Sequence, residues 1–159
     1  MTALLLATLL LAGKPEIALA TDGSPSMFVL VEELPPSAVK GGMDKGALQR
    51  VTTSRLKRCG VPVVTTSSTL LTYSVNVNVI PTKNGFAANV GSQCYTFVEI
   101  KGVSSKVLIW ESSLLMVGPM NGLGTQALEA LVGQIDEFCA EYQKAKQESA
   151  PVKATAPKK

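Results

Sequence analysis

Residues 71–79 read Leu71-Thr72-Tyr73-Ser74-Val75-Asn76-Val77-Asn78-Val79, and this stretch decides the fold. Leu, Tyr and three Val alternate with Thr, Ser and two Asn, so the apolar set recurs every second residue. Only an extended strand sends successive side chains to opposite faces, and this one therefore has one greasy face and one wet face. Pro81 to Gly85 makes a tight connection, with Asn84 and Gly85 suited to positive φ. Phe86–Ile100 returns as a long strand in which Gly91 suggests a bulge. Lys101-Gly102 turns the chain again, and Lys106–Val117 completes an antiparallel meander.

Upstream, Met27–Leu34 is a short β-rich run stopped by Pro35-Pro36, and Ser37–Gly46 reads as a loop. Asp44 is placed to cap a helix ending near Cys59, with Gly60 and Pro62 as stop signals. Its apolar half holds Ala47, Leu48, Val51, Leu56 and Cys59, and Val61–Thr65 suits a second strand. Downstream, Gly118–Gly124 is rich in helix breakers. Thr125 is the expected cap of a helix over Gln126–Lys146, in which Leu128, Leu131, Val132, Ile135, Phe138, Cys139 and Tyr142 form one stripe. The order β-α-β-β-β-β-α predicts an α+β fold: a two-layer sandwich with a mostly antiparallel sheet and both helices packed on one face. The order resembles that of small exported α/β domains of bacterial envelope assemblies, such as the N-terminal domain of the TolB protein, and a likeness of layout carries over no site residue.

The ends of the chain differ in composition. Ala3–Ala12 is an unbroken small-and-apolar run, too short to span a bilayer but matched to a secretory leader, and Ala18-Leu19-Ala20 offers a cleavage site. Lys14 stands where a lipoprotein signal would need cysteine, so the chain is not expected to carry a lipid anchor. The expected organisation is a cleavable leader over residues 1–20, one α+β domain over 21–146, and a disordered Ala/Pro/Lys-rich tail over 147–159. The net charge of +3 belongs to the C-terminal end, where Lys144, Lys146, Lys153, Lys158 and Lys159 face only Glu148. The folded part is close to neutral and has no basic stripe interleaved with aromatics, which argues against nucleic acid as a partner. A protein partner or an anionic envelope component suits the basic tail better.

The chain has no histidine, which removes Ser-His-Asp catalysis, histidine-zinc sites and an imidazole base. No cofactor motif appears and no metal site is expected, since three scattered cysteines without histidine do not make a zinc set. Cys59, Cys94 and Cys139 are read first as buried small hydrophobes, with one disulfide plus one free thiol as the alternative in an oxidising compartment. Ser37-Ala38-Val39-Lys40, Ser74-Val75-Asn76 and Lys83-Asn84-Gly85 approximate the three signatures of serine β-lactamases. Gly41-Gly42 directly after Lys40 spoils the helix that the nucleophile needs, so chance is the better account of them.

Arg55 falls inside the apolar sector of its helix and must snorkel or meet a carboxylate, with Glu32 or Glu33 as candidates, unless it binds an anion in a groove. Glu99 and Glu111 are strand carboxylates that can approach each other across the meander, and Trp110 is read as packing. The leading expectation is a non-catalytic exported domain for binding or envelope assembly. It would bind through Thr72, Ser74, Asn76 and Asn78 on the polar sheet face, with Arg55 a further candidate, or through an exposed strand edge. The rival is a hydrolase or acyl-transfer enzyme using a Ser/Lys or carboxylate site near Ser37 and Lys40.

Overall fold

A computed structural model describes residues 26–66 and 71–148. The expected leader and the tail from 149 onward lie outside the described residues. Strands β1 (Met27–Val31), β2 (Val63–Val64), β3 (Leu71–Thr82), β4 (Gly85–Ile100) and β5 (Val103–Gly118) form one sheet in the order β2-β1-β3-β4-β5. β1 lies parallel to both of its neighbours, while β3, β4 and β5 are antiparallel. Helices α1 (Pro36–Lys40), α2 (Lys45–Arg58) and α3 (Leu123–Glu148) cover one face. The two-layer α+β sandwich is thus the architecture found.

The alternation over 71–79 produces its strand. Leu71, Tyr73, Val75 and Val77 are buried against the helices beside Met27, Val29 and Val31 of β1 and Phe86, Ala88 and Val90 of β4. Asp44 caps α2 by accepting from the Ala47 N–H, as its position predicts.

Several local readings change. Pro36 opens the helix α1 inside the expected loop, because proline's fixed φ suits a first helical turn as well as it stops a strand. β5 begins at Val103, three residues early, because Lys101 (φ 52°) and Gly102 (φ 79°) form a two-residue turn that pairs Ile100 with Val103. α3 begins at Leu123, so Thr125 lies within the helix and is not its cap.

The bulge falls at Cys94/Tyr95 and not at Gly91. Cys94 faces Trp110 and Tyr95 faces Leu108, leaving Ile109 of β5 as the extra residue. The α3 stripe is also rotated from the expected one. Ala127, Ala130 and Gln134 are buried with Leu131, Ile135, Phe138 and Tyr142, while Leu128 and Cys139 are only partly buried. Gln134 is tolerated inside because its amide donates to the Val90 carbonyl (2.9 Å) and accepts from the Ser92 hydroxyl (2.6 Å).

Gly85 is required for close approach and not for φ: a Cβ there would lie 1.9 Å from the Gly118 carbonyl oxygen. Gly85→Ala must therefore push β5 away from the start of β4. The expected cost is about 1–3 kcal/mol, read as a lowered denaturant midpoint with an unchanged slope.

Candidate functional site

The four polar residues of β3 do share the face left uncovered by the helices. Register sets Thr72 opposite Tyr95, Ser74 opposite Gln93, Asn76 opposite Gly91 and Asn78 opposite Asn89. Continuing across to β5, Gln93 faces Glu111, Gly91 faces Ser113 and Asn89 faces Leu115. Gly91 thereby becomes the floor of a polar hollow of about 400 Å³ lined by Asn76, Asn89, Gln93, Glu111 and Ser113. A side chain at Gly91 would crowd Asn76, whose Oδ1 lies 2.9 Å from the position of a Cβ. One border of the hollow is tied down: Lys106 Nζ donates to Gln93 Oε1 (3.1 Å) and stands 4.0 Å above the Tyr95 ring centre. Ser74 is buried and donates to Glu32 Oε1 (3.2 Å).

Arg55 is not part of this face. It lies in the helix layer and makes a two-pronged pair with Asp136 of α3, at 2.6 and 2.9 Å. The carboxylate that it meets is therefore neither Glu32 nor Glu33. Glu32 takes the Ser74 hydroxyl, and Glu33 pairs with Lys45 at 2.6 Å. Glu99 and Glu111 do not approach each other, since Glu99 faces Ser104 and Glu111 faces Gln93.

Cys59 and Cys139 form a disulfide that ties the end of α2 to α3, so the reading of all three cysteines as buried hydrophobes holds for Cys94 alone. Burial pushes the Cys94 thiol up to about 12, which keeps it protonated and unreactive near neutrality. Burial likewise raises the Tyr73 hydroxyl above the ordinary range, against a smaller lowering by the nearby Ser92 hydroxyl.

Ser37 and Lys40 of the enzyme reading share α1, and Ser74 and Asn76 of the second β-lactamase-like signature lie across the sheet from them. Ser37 sits on α1, in the helix layer, and donates to the Val79 carbonyl (3.3 Å). Ser74 and Asn76 belong to the open face, and Lys83 to the β3–β4 turn. Among the described residues, no group of three His, Cys, Asp or Glu side chains is arranged to hold a metal ion.

The feature that sequence reading left unplaced is the edge. β5 has sixteen residues and, among the described residues, pairs on one side only. It carries just two charges, Lys106 and Glu111, and exposes apolar side chains along its length. Val103, Val107, Leu108 and Leu114 are exposed, and Leu115 and Val117 are each 72% exposed. Beside the edge, on the helix side, runs a groove of about 530 Å³ between β5 and α3, lined by Leu114, Met116, Gln126, Glu129, Ala130 and Gly133. A long, weakly charged free edge is a template for another strand unless something covers it. The opposite edge, β2, is two residues long and offers no comparable template.

No family model matches the sequence, and no curated protein matches it. Among solved structures, the chain path is similar to that of a PelC dodecamer variant from Paraburkholderia phytofirmans (TM-score 0.44, 14% identity, covering 71% of this chain and 84% of that one). It is also similar to a hypothetical protein from Chlamydia trachomatis (TM-score 0.40, 6% identity, covering 74% and 98%). A third structure is a minor lipoprotein from Acinetobacter baumannii (TM-score 0.28, 11% identity, covering 80% and 92%). No helix among the described residues is long and apolar enough to cross a membrane.

Proposed function

We propose that this chain is a small exported domain that works by binding and assembly, without catalysis, and that its recognition element is the free edge of β5. The observation that carries this reading is a sixteen-residue strand, paired on one side among the described residues, that exposes Leu108, Leu114, Leu115 and Val117 beside a groove. Strand addition supplies affinity through main-chain hydrogen bonds, and the alternating side chains of the added strand supply specificity. Export is supported by the apolar run over residues 3–12 and by the Cys59–Cys139 disulfide, which suits an oxidising compartment.

Lysine on an edge strand is a natural block to pairing. Leu115 and Val117 point from the open face of β5, so Leu115→Lys with Val117→Lys places two charges on the edge without opening the core. The folded chain is expected to keep its stability to within about 0.5 kcal/mol per substitution. In the native cell it should move from large complexes to the free pool, as followed by size-exclusion of gently solubilised envelope. A double variant that remains in the same complexes as the parent would refute the reading.

A further inference from the structure

We infer that the strand that covers β5 is the β5 of a second copy, paired antiparallel about a two-fold axis that passes between Leu108 and Ile109. This deepens the reading of β5 as the recognition edge and rests on it. The first ground is the sequence of the strand. From Val103 to Leu114 it runs Val-Ser-Ser-Lys-Val-Leu-Ile-Trp-Glu-Ser-Ser-Leu. Reversed and laid on itself, it opposes Val103 to Leu114, Ser104 to Ser113, Ser105 to Ser112, Lys106 to Glu111, Val107 to Trp110 and Leu108 to Ile109. Every apolar residue meets an apolar one, every serine meets a serine, and the only two charges meet each other. A two-fold interface demands this property, because one patch must complement itself.

The second ground is the bulge. In a regular strand each of these pairs joins an odd to an even position, and opposed side chains would then leave by different faces. The extra residue Ile109 shifts the alternation by one, and the pairing with β4 shows the result. Lys106 and Glu111 stand opposite Phe97 and Gln93, both on the open face, as are Ser104 and Ser113, opposite Glu99 and Gly91. Val103 and Leu114 stand opposite Ile100 and Val90, and Val107 and Trp110 opposite Thr96 and Cys94, all on the helix side. The self-paired register is therefore consistent in face only because the bulge lies at the axis.

The third ground is what the register does to charge and space. Lys106 spends one of its three N–H donors on Gln93 and keeps two, while Glu111 has no side-chain partner among the described residues. Antiparallel pairing makes two Lys106–Glu111 contacts across the axis, whereas parallel pairing in register sets like charges side by side. On the helix side, Val103 of each copy comes opposite Leu114 of the other, at the groove beneath α3. The basic turn at Lys101 runs on toward Met116 and Glu129, which line that groove.

Sedimentation velocity on the purified oxidised chain, from nanomolar to high micromolar concentration, tests the inference together with amide exchange along β5. The expected result is a reversible dimer in which β5 amides gain protection. Lys106→Glu or Glu111→Lys alone should each weaken dimerisation by about tenfold or more, and the two together should restore it to within about threefold of the parent. Both positions are exposed, so an unchanged melting curve identifies each variant as folded. A mixture of Ser104→Cys and Ser113→Cys chains should cross-link between copies, while neither alone should do so.

A chain that stays monomeric throughout overturns the second copy, and the lysine variants of β5 still decide the edge reading separately. A dimer indifferent to both charge reversals, or one that fails to cross-link in the mixture, overturns the register and hence the inference. A dimer whose β5 amides exchange at the monomer rate overturns both readings.

Discussion

Replacing Cys59 and Cys139 with serine should lower the melting temperature by about 8–18 °C, with the fold retained at low temperature. The bond joins residues 80 apart, spanning everything from the end of α2 to the middle of α3. In the chain-entropy account a loop of that length, opened in the unfolded ensemble, costs about 4.5 kcal/mol, and the measured range for native disulfides of small exported domains is about 2–5 kcal/mol. The other polar contacts between the two helices, among the described residues, are weak by comparison. Arg55–Asp136 has side chains 30% and 60% exposed, and an ion pair with that access to water contributes about 0–1 kcal/mol. The Gln143 amide bonds to the Cys59 carbonyl, but that single contact depends on the two helices already being held together. Calorimetry of the oxidised chain, the reduced chain and the serine variant measures the effect. Coincident melting curves for all three would show that the covalent link constrains nothing that matters.

The fold was legible where one residue type decides one local geometry. Period-two alternation over 71–79, the Asp44 cap, the Lys101-Gly102 turn and the apolar stripe near Ile135 and Phe138 each identify an element from a few neighbouring residues. Errors arose where two local rules compete. Pro35-Pro36 ends a strand and also starts α1. Gly91 resembles a bulge yet is regularly paired, while the true irregularity falls at Cys94/Tyr95, which no glycine marks. The placement of α3 on the sheet buries Gln134 because Val90 and Ser92 satisfy it, and hydrophobicity alone does not identify such a position.

The candidate site was legible in a different measure. The polar set on β3 was visible, but Asn89, Gln93, Glu111 and Ser113 join it only through strand register. The partner of Arg55 lies 81 residues away, and no local pattern contains that distance. Which strand forms the sheet edge is likewise a property of strand order and not of composition. The near-palindrome over 103–114 is present in the sequence, yet it acquires meaning only when the edge and the bulge are both known.

Phe138→Ala should be the most damaging single change in the helix layer, at about 3–5 kcal/mol. Phe138 is 1% exposed, and its ring meets Tyr73 of β3 edge-on at 5.2 Å, Trp110 of β5 edge-on at 5.2 Å, and Tyr142 one turn on at 6.2 Å. Removing it loses its own transfer free energy and leaves a void. Tyr73 and Trp110, stacked on each other at 6.0 Å, are anchored in β3 and β5 on either side of β4 and cannot collapse to fill that void. The edge-to-face geometry adds about 0.5–1.5 kcal/mol per pair beyond burial. Phe138→Leu keeps the apolar contact but sacrifices the ring geometry, so it should cost clearly less than the alanine. Urea midpoints at constant slope separate the two. If leucine and alanine proved equally damaging, the stacking around Phe138 would matter more than the volume it fills. If both were mild, α3 would not be anchored to the sheet through this cluster, and the groove beside β5 would no longer have a fixed wall.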